Sequence, residues 1–247
     1  WTYPQAGSQG QNVIFVNGER QIPGKWRGQP MDESIGGDVL EYRYGEDREY
    51  VLMDGTNAYP KQELKGWRRH LILDKPVVTV LLDEIKSAKG ALIESRIHPI
   101  TEGTRGAPQI QGRRQSSRNA NLMGNITIPE DNAYLLIKGR SGMMALIAVA
   151  DDPVSYVPDS HAYLPIQANA TLRKIPFVDT ELTTSGTETT ISTIVLPVAN
   201  ETEAREVSQS VNRTVDRDGN LTLSFTAKNQ THEYRYEPGD DGLVLAQ

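Results

Sequence analysis

Apolar and β-branched residues recur along this chain in short runs that alternate with polar positions and stop at Gly, Pro, Asn or Asp. The period is two rather than 3.6, so the pattern predicts strands. They fall at 12–16, 38–44, 49–53, 67–73, 77–85 and 91–98, then at 109–113, 122–128, 133–138 and 143–149. Six more follow at 170–176, 189–197, 207–214, 221–227, 232–237 and 243–246. Short strands at this density predict an all-β fold: a large, supersandwich-like antiparallel β-sandwich with little helix. Helical signals collect in one stretch, Asn200 to Glu206. Asn200 is placed to cap it and Glu203 to close a capping box, for one or two turns. The chain reads as one sandwich region, 1–247, with a subdivision near 160–168.

The segment from Arg68 to His98 is the most informative. Leu71, Leu73, Val78, Val80 and Leu82 suit strands that cross a buried sheet, and Ala88-Lys89-Gly90 turns the chain. Glu94, Arg96 and His98 alternate with Ile93, Ser95 and Ile97, so the polar three share a face. The next segment, Thr101 to Asn121, is rich in Gly, Arg, Gln and Ser and carries Arg105, Arg113, Arg114 and Arg118. It reads as a long exposed loop or edge.

Composition narrows the function classes. The chain has 247 residues and a net charge of −6. That balance argues against nucleic acid as partner, although locally clustered basic residues can still hold an acidic polymer. There is no cysteine, so disulfides and thiolate-bound metals are excluded. The longest apolar stretch, Gly142 to Ala150, is far shorter than the ~18 residues of a membrane span and reads as a buried strand. The chain starts at Trp1, as expected of a mature or truncated product. Asn-x-Ser/Thr sequons stand at Asn125, Asn169, Asn200, Asn212, Asn220 and Asn229. They are glycan acceptors only in a secreted eukaryotic protein.

No HExxH, nucleophile elbow, phosphate loop or dinucleotide fingerprint occurs. The four histidines, His70, His98, His161 and His232, are scattered. His70 and His98 flank Asp83 on neighbouring predicted strands. The three form a weak candidate metal set, for which a hydrolase would be the matching activity, but three ligands must converge and spacing cannot show that. The plainer reading places them at sheet rims, with no metal expected. The Arg105–Arg118 loop suits anionic groups, because guanidinium donates two parallel hydrogen bonds to carboxylate or sulfate. Trp26, in Gly24-Lys25-Trp26-Arg27-Gly28, is the tryptophan best placed to be exposed and to stack on a sugar face.

Three stretches, in order, resemble the C-terminal β-sandwich portion of the heparinase II/III-like polysaccharide lyases. Gln11-Asn12-Val13-Ile14-Phe15-Val16-Asn17-Gly18-Glu19-Arg20-Gln21 resembles the family's HN strand, which ends in a (D/N)-G turn and a Gln. Asp54-Gly55-Thr56-Asn57-Ala58-Tyr59-Pro60 is similar to its D-x-x-x-A-Y segment. Trp67 to Leu73, Val78 to Asp83 and Ile93 to His98 resemble its arginine-led strand, its strand closing in Asp and its strand ending in His. Beyond Leu122 only the general rhythm agrees, as in Thr193-Ile194-Val195-Leu196-Pro197.

The resemblance implies an N-terminal (α/α) toroid that is not in this chain, and β-elimination of acidic polysaccharides. In such a reaction a base takes the proton α to a uronate carboxylate and an acid protonates the leaving oxygen. Amides, Arg or a cation neutralise the carboxylate. The family's Tyr and His acid–base pair and its neutralising Asn come largely from the toroid, so this chain alone is expected to be inactive and to form one wall of the cleft. The resemblance also implies a zinc or calcium in the full-length protein, but no cofactor in this chain. Gln11 stands where relatives place a metal-binding His, and glutamine is a poor zinc ligand. Asn12 is expected to cap backbone groups at the strand entrance.

On this reading Tyr59 is the candidate catalytic phenol, and it could equally fill a sandwich corner. Gln11, Asn12, Trp26, Arg68, Arg113 and Arg114 are the candidate substrate-binding groups. The partners implied are an acidic polysaccharide and the upstream toroid, and the location implied is the bacterial periplasm or the exterior. The alternative is a non-catalytic carbohydrate-binding or adhesion sandwich on the same strands.

Overall fold

The computed structural model describes residues 12–21, 35–59, 64–98, 126–139, 142–163, 173–240 and 242–246. Among them every strand pairing is antiparallel, and the strands form three sheets.

The central sheet has eight strands. Its middle is built from β3 (Arg48–Asp54), β4 (Leu64–Asp74), β5 (Val78–Ser87), β12 (Glu188–Val198) and β9 (Met143–Ala150). Its edges are β2 (Asp38–Arg43), and β8 (Leu135–Lys138) with β7 (Ile126–Thr127). The order across it is β2-β3-β4-β5-β12-β9-β8-β7. The front sheet orders β1 (Ile14–Val16), β6 (Leu92–Ile97), β11 (Arg173–Thr183) and β10 (Ser155–Tyr163). The back sheet is a meander of β13 (Asn212–Val215), β14 (Leu221–Ala227), β15 (Gln230–Pro238) and β16 (Leu243–Leu245).

Side-chain alternation explains why the central sheet carries a core on each face. Along β5, Val78, Val80 and Leu82 join Leu221, Leu223 and Phe225 of β14 and Tyr234 and Tyr236 of β15 in the core facing the back sheet. Ile85, on the other face, joins Trp67, Ile93 and Leu182 in the core facing the front sheet. A further cluster on that side links Leu146 and Ala148 of β9 to Tyr156 and Val178.

The helix is longer than the caps alone suggest. α1 runs Glu201–Ser210. Asn200 Oδ1 accepts from Glu203 N at 2.9 Å, and Glu203 Oε2 reaches back one residue further than a standard box, to Ala199 N at 2.6 Å. Ala204 and Val207, three apart on one face, bury against the back-sheet core and carry the helix onward. The predicted strand at 207–214 is therefore split: its first half is helix, and strand resumes at Asn212.

The strand Ser155–Tyr163 is not predicted from the sequence, because Pro158 and Asp159 break its alternation. As the outer strand of the front sheet it can tolerate a proline. The predicted strand at 109–113 lies outside the described residues, as does the 164–168 part of the expected subdivision. No described helix is long and apolar enough to cross a membrane.

Candidate functional site

The strand β1 is the point on which the polar groups of the front sheet converge. It ends in the Asn17-Gly18 turn, where both residues take positive φ, 52° and 75°, and Val16 and Glu19 exchange backbone hydrogen bonds at 3.1 and 2.9 Å. At its entrance, Asn12 Oδ1 accepts from His98 N at 2.9 Å and lies 3.3 Å from His98 Nδ1. The amide thus ties β1 to the end of β6, the capping role expected of it. Asn12 O accepts from Arg69 Nη1 at 2.8 Å. Tyr59 Oη donates to Ile14 O at 2.8 Å.

Arg69 is in turn held by Asp83. Its Nε and Nη2 fork the carboxylate at 2.7 and 2.9 Å, and Trp67 Nε1 donates to the same carboxylate at 2.9 Å. Asp83 is 1% exposed. A buried charge persists only when paired and hydrogen-bonded, and three donors meet that condition here. Burial alone would depress the Arg69 guanidinium, but Asp83 outweighs it and holds the group above its ordinary value. Gly55 leaves room for the Trp67 ring, since a Cβ there would sit 2.3 Å from Cε3.

A second constellation lies on the outward face of the front sheet. Cross-strand partners share a face, which places Phe15 beside Glu94, Glu94 beside Glu181, and Arg96 beside Asp179. Arg96 forks Asp179 through Nε and Nη2 at 2.8 and 2.6 Å. Its guanidinium also lies 4.3 Å from the Phe15 ring and 3.6 Å from the Phe177 ring, held between two π faces. Oxygens of Glu94, Asp179 and Glu181 come within 4.8 Å of one another. Burial first, then Asp179 and Glu181, push the Glu94 carboxyl up; burial and then Asp179 do the same to Glu181. Among the described residues these are the oxygens that could surround a hard cation, though Asp179 is already committed to Arg96. The arrangement can also hold a proton between carboxylates.

The other face of β4 and β5 carries a different network. His70 is fully buried, with Nδ1 2.9 Å from Tyr50 Oη and Nε2 2.7 Å from Glu84 Oε1. Arg68 Nε lies 4.0 Å from the same oxygen, and Leu243 N donates to Glu84 Oε2 at 2.8 Å. These groups fasten the central sheet to the back sheet.

The candidates from the sequence therefore separate. His70, Asp83 and His98 do not converge. His70 pairs across the ladder with Leu82 and Asp83 with Arg69, so strand alternation sends the two side chains to opposite faces. His98 lies beside Asn12 on the front sheet. Tyr59 is 2% exposed, packs edge-on against Trp67 at 5.5 Å and donates its hydroxyl hydrogen bond to a backbone carbonyl. Burial pushes its phenol far above the ordinary value. Arg68 faces the back sheet, away from Asn12. Gln11, Trp26, Arg113 and Arg114 lie outside the described residues.

Sequence reasoning passes over Arg69, although Trp67 and Arg69 share strand parity, and over Asp179, which lies beyond the predicted strand end at residue 176. It places Arg96 on the right face without its partner.

No family model and no curated protein matches the sequence. Solved structures do. A heparinase III crystal structure superposes with a TM-score of 0.62 at 14% identity, over 94% of this chain and 30% of that one. This chain shares the fold of the matched part of heparinase III. The heparan sulfate lyase HepC from Pedobacter heparinus gives a TM-score of 0.61 at 11% identity, over 97% of this chain and 30% of that chain. The heparinase III-BT4657 gene product gives 0.57 at 11% identity, over 95% of this chain and 34% of that chain. At such identities the likeness shows the fold, and this chain spans about a third of the lyase chains it matches.

Proposed function

We propose that this chain is the β-sandwich part of a polysaccharide lyase-like protein that acts on uronate-containing acidic polysaccharides by β-elimination, and that it forms one wall of the cleft. The observation that carries this reading is the superposition of nearly the whole chain on structures named as heparinase III and heparan sulfate lyase. The polar cluster at the β1 entrance supports it. The Asn12 amide ties that entrance to His98, and the segment that follows His98 in sequence carries Arg113 and Arg114. Cationic and amide groups of this kind favour an anionic chain and would stabilise negative charge developing on a uronate.

The base and acid of the reaction come from an upstream (α/α) toroid. Tyr59, buried against a carbonyl, does not supply them. A zinc or calcium ion belongs to the full-length protein, and the protein works in the bacterial periplasm or outside the cell. Absorbance of the conjugated uronate product, measured with and without the toroid, tests the assignment.

A second reading is a carbohydrate-binding module without catalysis. Tyr42 and Tyr44 favour it: they are 58% and 73% exposed at alternate positions at the edge of the central sheet, where aromatic rings can stack on sugar faces.

A further inference from the structure

We infer that the open end of the gap between the central and back sheets is a binding site for one neutral sugar ring. A cavity of about 300 Å³ lies there, at the low end of the ~300–1,000 Å³ range of ligand pockets. That volume suits a single ring rather than an oligosaccharide. The site is separate from the β1 entrance and does not depend on the lyase reading.

One wall is apolar: Val215, Leu221, Pro238 and Leu243 line it. Val215 is 51% exposed at the mouth and extends the apolar wall outward. The other wall is polar and fixed. Arg213 reaches across from β13, with Nη2 donating to Asp151 Oδ1 at 2.9 Å and to Thr190 Oγ1. Its side chain is only 10% exposed, yet its Nε is buried without a partner among the described residues. A desolvated N–H without an acceptor is unfavourable, and a ligand hydroxyl or ring oxygen would satisfy it. Asp151 Oδ2 accepts from Thr190 N at 3.1 Å and lies 3.3 Å from Thr190 Oγ1, so the carboxylate is oriented before any ligand arrives.

An apolar wall facing a guanidinium–carboxylate pair matches a pyranose, which has a C–H face and a hydroxyl edge. Charge selects against acidic sugars. Both cations of the lining are already paired, Arg213 with Asp151 at 2.9 Å and Lys86 with Glu188 at 3.4 Å, and Glu84 is held by His70 at 2.7 Å, so a uronate carboxylate would lose its hydration without meeting an unpaired cation.

Saturation-transfer NMR on the intact chain tests this, with the methyl glycosides of glucose, galactose and mannose, and with glucuronate, each at about 10 mM, where weak single-ring binding registers. At least one neutral glycoside is expected to receive saturation and to bind about tenfold tighter than glucuronate. Val215→Trp, which fills the mouth without touching a hydrogen bond, abolishes the transfer while the melting temperature holds. Arg213→Lys, which keeps the charge but lacks the Nε–H, weakens binding. No transfer from any of the three glycosides overturns the inference, as does transfer that survives Val215→Trp or glucuronate binding that matches the neutral sugars.

Discussion

Arg69 and Asp83 form a two-point ion pair across β4 and β5, at 2.7 and 2.9 Å, on the face toward the front sheet. The neighbouring pair in the same ladder, Arg68 and Glu84, faces the back sheet. Two adjacent arginines opposite two adjacent acids thus deliver one charged group of each sign to each interface. Asp83→Asn removes one partner and strands the guanidinium, a change that costs about 3–5 kcal/mol in a buried pair. Urea denaturation should show an unfolding free energy lowered by that amount, with the midpoint falling accordingly. Arg69→Met with Asp83→Leu should recover much of the loss, because neither partner is then left as an unpaired buried charge. A double variant no more stable than Asp83→Asn would contradict the pairing.

The carboxylates on the outward face give stability a pH dependence of known sign. Glu94 and Glu181 are pushed above their ordinary value of 4.5, by burial and then by neighbouring carboxylates. A raised native-state pKa means that the folded chain holds the proton more tightly than the unfolded one. The stabilisation is full below the ordinary value and is lost as pH rises through the raised native-state values. Glu94→Gln and Glu181→Gln remove the charge at all pH. Their stability relative to wild type should therefore increase as pH rises through that window, in paired thermal melts. A gap that shrinks over the same range would contradict the cluster.

Tyr59→Phe separates a core phenol from a catalytic one. The hydroxyl contributes a single buried hydrogen bond to Ile14 O, so its loss should cost about 0.5–1.5 kcal/mol. Turnover by a reconstituted lyase should be unchanged. A fall of about a hundredfold or more, the scale of a lost general acid or base, would restore Tyr59 to the cleft.

The strands facing two cores were legible because burial fixed their parity. Leu221, Leu223, Phe225 and Ala227 alternate with polar residues, and the strand has the predicted bounds. Where tertiary contact overrides local pattern, the sequence was less informative. Ser155–Tyr163 is a strand because β11 pairs with its full length, not because of its own composition. α1 extends because Ala204 and Val207 meet the back-sheet core. In the candidate site, the backbone-capping role of Asn12 was legible because one amide at a strand entrance has few local roles. The face taken by Arg68 as against Arg69 was not legible, because adjacent strand residues differ only in face, which depends on where the third sheet packs. The Asp179 partner of Arg96 is 83 residues away in sequence, beyond any local signal.

Arg113 and Arg114 are expected to bind the anionic chain. Replacing both with alanine should lower retention on heparin or alginate columns. It should also flatten the salt dependence, since a protein that neutralises fewer anionic groups releases fewer counterions when it binds. Retention equal to wild type at every salt concentration would remove these residues from the binding surface.

The most direct measurement is absorbance in the conjugated-uronate band on a panel of acidic polysaccharides. It is run with this chain alone and then with an upstream toroid joined to it. Silence is expected from the chain alone, and product from the joined protein. Product from the chain alone would place acid and base within these 247 residues and contradict the cleft-wall assignment. Silence from both would contradict the lyase reading itself and leave the carbohydrate-binding module.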